Sequence, residues 1–404
     1  MRWLLVALAG LCFCFASCDG DDDSDDRVAI TGGPALSPLL TATASATTVE
    51  SPCPSVDPPI YRANVATGEV ATIARGQHPR LSRDGTLMSY LTLGGPNCGP
   101  ATFIDDVDTG EHLFNWKGIF LSLEWSPTSP TLALGGNGNQ PSEVTIVSIR
   151  PDGTATANTV FRGLVNGISW SGDGSRVAYI NGATGEIGVY DLALGTTMTL
   201  PSLQPSVSGA VAHIEWSPTA DRVAVWAYEF TSSEPNVSHL FLMSPIDGST
   251  TEIIDPPGGA LPSWSPDGSF LSFSVAEGET NTEYIAAVDG SSSSRSFPGA
   301  TGVWTPDGTL LAYVRSCENW DLSVVAPDGK GDRVLVPAAP DQVQIPWSWS
   351  PDSSLLAYSD KEHTYTVSRD GSRMTQLGAH MEQVVWSPDG RYLIGQEVAG
   401  HGIC

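Results

Sequence analysis

Lysine is almost missing from this chain: Lys117, Lys330 and Lys361 are the only three in 404 residues. Lysine and arginine together number 19 against 45 aspartates and glutamates, a net charge of −26. That balance excludes a nucleic-acid partner, whose phosphates would be repelled, and leaves no polybasic surface for anionic lipid. Long apolar runs are scarce as well. The longest, Trp3 to Phe15, falls short of the roughly 20 residues a membrane-spanning helix needs. Catalytic signatures are absent too: there is no G-x-S-x-G elbow, P-loop, dinucleotide fingerprint, H-E-x-x-H or EF-hand loop, and no cysteine pair at metal-ligand spacing. Charged residues make up only 16%, while Gly 42 and Pro 30 suit many short strands joined by tight turns.

The N-terminal segment sets the expected compartment. Met1-Arg2 followed by the short apolar run has the form of a secretory signal peptide. The run ends in Phe15-Ala16-Ser17-Cys18, which resembles a bacterial lipobox, although Phe15 stands where an aliphatic residue is usual. The resemblance implies lipidation at Cys18, with residues 1–17 as the signal peptide. Asp19-Gly20-Asp21-Asp22-Asp23-Ser24-Asp25-Asp26 is too highly charged to pack and reads as the start of a solvated tether over residues 18–57. A body over residues 58–404 is then expected to be exported and membrane-attached at one end, periplasmic or on the cell surface.

Seven cysteines are present. Cys12 and Cys14 fall in the signal peptide, and Cys18 is the lipidation candidate. Cys53, Cys98, Cys317 and Cys404 remain, an even number in a compartment that permits disulfides.

The body is a repeat. Trp264-Ser265-Pro266-Asp267-Gly268 recurs as Trp386-Ser387-Pro388-Asp389-Gly390, and in degenerate form at Trp125, Trp170, Trp216, Trp304 and Trp349, with Leu81 holding the place in an eighth copy. From Leu81 to Trp386 the intervals are 44, 45, 46, 48, 40, 45 and 37 residues, the length of a four-stranded propeller blade. Pro presets φ in each turn, Asp bonds back to the backbone, and Gly accepts positive φ. Apolar strands follow, such as Leu355-Leu356-Ala357-Tyr358, and third strands closed by a second glycine turn, such as Leu322-Ser323-Val324-Val325 before Asp328-Gly329. At such a repeat position the tryptophans are expected in the blade core rather than as binding platforms.

These residues resemble the TolB-type propeller repeat, with its W-S-P-D-G turn, apolar strand and D-G closure, over residues 58–404. The resemblance implies an all-β propeller. Strand counting sets the blade number. Ile60–Val65 and Glu69–Ala74 read as third and fourth strands without a first and second, and the C-terminus supplies the missing pair around Trp386. Eight turns therefore predict an eight-bladed β-propeller of four-stranded antiparallel blades, closed by strands from both termini. In that closing blade Cys53 and Cys404 are expected to meet as a disulfide, with Cys98 as the rival partner. The two-lobed domain that precedes the propeller in TolB itself has no counterpart here, since residues 27–57 are rich in Ser, Thr, Ala and Pro.

Polar residues one and three places before each tryptophan position should face the central channel. His78 with Arg80, Ser122 with Glu124, and His213 with Glu215 stand there, whereas Ser169, Ser263, Val303 and Ser348 are small or apolar. His380 is a further channel candidate. The binding residues expected from this are His78, Arg80, Glu124, His213 and Glu215, forming a hydrated rim; no catalytic or metal-ligating residue is assigned and no cofactor is expected. The leading functional expectation is a monomeric, non-enzymatic envelope scaffold that recognises a protein, peptide or glycan through the channel mouth or loop face. The alternative, implied by the family resemblance, is a metal-dependent polysaccharide lyase or hydrolase with its site in the channel. A third class is a sensor ectodomain.

Overall fold

The computed structural model describes residues 57–397, apart from 95–98, 119, 137–141, 202–209, 230–236, 255–261, 278–279, 291–294, 316–320, 338–343 and 361. Cys18, Cys53, Cys98, Cys317 and Cys404 lie outside the described residues, and with them the anchor and the disulfide. Among the described residues there is no helix, and none that could cross a membrane. The chain forms eight four-stranded antiparallel sheets. Seven are built from consecutive strands. The eighth joins Glu382–Trp386 and Tyr392–Gln396 to Pro59–Asn64 and Val70–Arg75, so both ends of the described chain share one blade. We number the blades 1 to 8 from the one that starts at Gln77–Leu81.

Each blade begins with an inner strand that ends at the tryptophan position: Gln77–Leu81, Phe120–Trp125, Val165–Trp170, Ala210–Trp216, Ser263–Trp264, Ala300–Trp304, Gln344–Trp349 and Glu382–Trp386. The turn after it is built as its residues dictate. In blade 5 the Ser265 hydroxyl donates to Asp267 at 2.6 Å, the same carboxylate accepts the Ser269 N–H at 3.0 Å, and Gly268 takes φ +70°. Blade 8 repeats this with Ser387 and Asp389. The serine after each tryptophan is buried in most blades because it closes this turn internally.

The core lies between blades rather than within them. One cluster packs Ile180, Ile187 and Val189 of blade 3 against Val211, Ile214, Trp216 and Val223 of blade 4. Another packs Trp226 and Leu240 of blade 4 against Trp264, Leu271 and Phe273 of blade 5. The repeat tryptophans belong to these layers: Trp170, Trp216, Trp264, Trp304, Trp349 and Trp386 are all buried.

Their indoles also link neighbouring blades. Five of the six donate their indole N–H to the carbonyl of the residue before the tryptophan position in the preceding blade: Trp170 to Glu124 (2.8 Å), Trp264 to Glu215 (3.0 Å), Trp304 to Ser263 (3.3 Å), Trp349 to Val303 (3.3 Å) and Trp386 to Ser348 (2.9 Å); at Trp216 the main-chain N–H donates to the Ser169 hydroxyl instead. Trp125 reaches Arg80 the same way at 3.3 Å. Leu81 has no such donor, so the seam between blades 8 and 1 is closed differently. The His78 N–H donates to Gln396 Oε1 at 2.6 Å, and Ile60 and Ile394 pack with Met88, Tyr90 and Phe103.

Candidate functional site

In a propeller the first strand of each blade borders the central axis. Here the inner strands of several neighbouring blades touch one another directly. Nearly all of them also carry a register shift two to five residues before the tryptophan position, as between Val211 and His213 or Gln77 and Arg80. Such a bulge re-aims the side chains that follow it. His78 (φ 55°) and Gln383 (φ 54°) occupy equivalent places in blades 1 and 8, and both are non-glycine residues in the left-handed region. Across the seam the Gln383 side chain favours the charged form of the His78 imidazole.

The residues before the tryptophan position form a ring of changing character. In chain order it runs Arg80, Glu124, Ser169, Glu215, Ser263, Val303, Ser348 and Val385. Arg80, Glu124 and Glu215 therefore stand on one side, across blades 1 to 4, and the opposite side is small or apolar. The Ser169 hydroxyl, between the two glutamates, accepts the main-chain N–H of Trp216 at 3.0 Å and favours the charged form of Glu124.

Arg80 keeps an open surface although protein surrounds it, as befits a channel wall; burial holds its guanidinium below the usual range while Glu124 opposes that shift. Burial pushes Glu124 up to about 8, with the Trp170 N–H, Ser169 and Arg80 pulling the other way. Burial, and then repulsion from Glu124, pushes Glu215 up to about 8, opposed by the Trp264 N–H. Glu215 is only half-buried as a residue, yet its Oε2 is closed off from solvent and has no hydrogen-bond partner. His213 is pushed down to about 4 by burial, and His78 is lowered chiefly for the same reason. Both imidazoles are therefore neutral at pH 7.

All five residues singled out from the sequence thus lie on inner strands of blades 1, 2 and 4. Glu124, His213 and Glu215 are partly exposed and Arg80 is exposed. His380 is elsewhere: it lies in the connection before Glu382–Trp386, with its Nε2 2.9 Å from the Asp360 carbonyl. Two participants were missed. Gln383 carried no charge to draw notice, and Ser169 looked like a space-filler; only its place between two glutamates marks it. Among the described residues, no group of three or more His, Cys, Asp or Glu side chains could hold a metal ion.

A family model described as the TolB beta propeller domain matches residues 152–390. No curated protein matches the sequence. Solved structures share the fold at low identity. An oligogalacturonate lyase from Vibrio parahaemolyticus is 10% identical with a TM-score of 0.53, covering 86% of this chain and 98% of its own. An oligogalacturonate lyase in complex with manganese is 12% identical with a TM-score of 0.53, covering 87% and 99%. A dihydro-heme d1 dehydrogenase is 15% identical with a TM-score of 0.56, covering 83% and 72%. At such identities the likeness is one of fold.

Proposed function

The chain belongs to the TolB β-propeller family, and from that premise we propose that it is a non-enzymatic binding scaffold of the cell envelope, recognising a protein, peptide or glycan at its channel. The observation that carries this reading is the one-sided ring. Charged side chains are gathered on blades 1, 2 and 4, on one side of the ring, and faced by small or apolar residues on the other, which gives a ligand one side to hydrogen-bond and another to pack against. The propeller is exported and held by a lipid on Cys18, a reading that rests on the lipobox-like residues and the acidic tether.

The rival is a channel-based lyase, and one observation favours it: two carboxyls on the same side of the ring, both pushed towards neutrality, offer candidate proton donors. A single experiment separates the two. The intact lipoprotein and a variant substituted at His78, Arg80, Glu124, His213 and Glu215 are compared for capture of solubilised envelope components, metal content and glycan cleavage. A scaffold loses capture in the variant and cleaves nothing in either form. Stoichiometric metal and cleavage, lost together in the variant, would replace the scaffold with the lyase. In the same fractions Cys18→Ser should leave the membrane, and a Cys18→Ser protein that matures and stays membrane-bound refutes the anchor.

A further inference from the structure

We propose that Met374 is a site of reversible oxidation to methionine sulfoxide, and that the Tyr358 hydroxyl decides which of the two sulfoxide epimers forms. The site lies on the outer rim of blade 7, apart from the channel. Methionines fall into two kinds among the described residues. Met88, Met243 and Met381 are packed into the core clusters, each no more than 1% exposed. Met198 and Met374 stand on the outermost strands Thr196–Thr199 and Met374–Gln376, 43% and 58% exposed. A peroxide in solvent reaches these two sulfurs and not the other three. One contact separates Met374 from Met198. The Tyr358 hydroxyl donates to Met374 Sδ at 2.9 Å, and Met198 has no such donor among the described residues.

Tyr358 lies on the second strand of the blade, Leu355–Ser359, two strands in from Met374. It is buried, and its ring stacks on Tyr365 with centroids 5.3 Å apart. The hydroxyl therefore meets the sulfur from the core side and is held there. A thioether sulfur carries two lone pairs, and each gives a different epimer when it takes an oxygen. At Met374 the phenol covers the inward pair and draws on its electron density, which leaves the outward pair free to react. That pair attacks one peroxide oxygen: the S–O bond forms, the O–O bond breaks, and the departing hydroxide takes the remaining proton as water. Sulfur loses two electrons and the peroxide gains them. Reversal draws two electrons from a reductase dithiol, which becomes a disulfide while the oxygen leaves as water. Each epimer has its own reductase, so one of the two enzymes restores Met374 and the other leaves it oxidised.

The test exposes the intact protein to dilute hydrogen peroxide, digests it, and treats the peptides separately with the two epimer-specific methionine sulfoxide reductases. Mass spectrometry then reads how much sulfoxide each enzyme removes at each methionine. Met198 and Met374 should oxidise well before Met88, Met243 and Met381. At Met374 one epimer should exceed the other by about tenfold, the selectivity that a single hydrogen bond supplies. Met198 should give both epimers in near-equal amounts. Tyr358→Phe keeps the ring and loses the donor, and should bring Met374 to an even mixture. Oxidation of the same peptide after digestion should do so too. An even mixture at Met374 in the intact protein overturns the proposal, and so does a skew that persists in folded Tyr358→Phe or in the free peptide. Oxidation of Met88, Met243 and Met381 as fast as Met374 in the native protein overturns it as well. The same three methionines report whether Tyr358→Phe is folded, and the comparison of intact protein with free peptide needs no variant.

Discussion

A tryptophan at the end of an inner strand does two jobs that chemistry keeps separate. Its ring fills the layer between blades, and its N–H finds the carbonyl of the neighbouring blade, so a large apolar residue is buried without an orphaned donor. The first role follows from the repeat position alone. The second needs the neighbour's register and is invisible in one dimension. Trp264→Phe separates them: the ring is largely retained, while the bond to the Glu215 carbonyl at 3.0 Å is lost. The expected cost is about 1–3 kcal/mol in urea unfolding, the range for a buried acceptor left unpaired plus a small void. A variant as stable as the parent would show that the indole–carbonyl link holds nothing.

At the scale of the turn, departures from W-S-P-D-G become explicable. Blade 3 has Gly172 where the repeat has proline. A Cβ there would stand 1.9 Å from the Pro218 carbonyl oxygen of blade 4, whose own turn, Pro218-Thr219-Ala220-Asp221, lacks the D-G pair. Gly308, by contrast, has φ +70° with open space, its nearest neighbour being Pro266 Cδ at 3.7 Å. The two glycines are therefore needed for different reasons, one for room and one for backbone conformation. Gly308→Ala should cost about 1 kcal/mol, from left-handed strain alone. Gly172→Ala should cost more, about 2–3 kcal/mol, because backbone must shift to admit it. Chemical denaturation of the pair ranks them, and the reverse order would refute this account. Strand ends moved by about a residue from those read in the sequence for the same local reason. Asn64, read inside a strand, ends it by capping the turn with its side chain, which accepts the N–H groups of Ala66 and Thr67.

For the whole molecule, blade number and closure were legible because they depend on counting: eight turns, and two half-blades that complete each other. The charge state of the channel was not, because it depends on how closely Arg80, Glu124 and Glu215 approach across three different blades. Nor was Glu283 singled out. It is buried on the third strand of blade 5, with Ser274 donating to Oε2 at 2.5 Å, and burial pushes it up to about 7. Its other oxygen, Oε1, lies where a Cβ on Gly302 of blade 6 would have to go. Glu124, Glu215 and Glu283 together set a direction for stability against pH. In the unfolded chain all three release their protons near the ordinary value of 4.5, whereas the folded protein keeps them until about 8, 8 and 7. Between those limits the folded form binds more protons, so raising pH favours unfolding. The turn aspartates act at the acid end: Asp173 and Asp389 are held down to about 2 by their Ser171 and Ser387 hydroxyls, and stability from them is lost as pH falls from the ordinary aspartate value of 3.8 towards 2. Those turns are solvent-exposed, so their share is small. Stability should therefore peak near about pH 4 and decline to about pH 8.5, by up to about 1.4 kcal/mol per pH unit for each carboxyl still protonated only in the fold. Glu283→Gln, which keeps the size and can still accept from Ser274, should flatten part of that decline. Urea midpoints at about pH 5.5 and about pH 8.5 decide the matter; a midpoint that stays level or rises would mean that the three carboxyls are ionised in the folded protein and paired by groups of opposite charge.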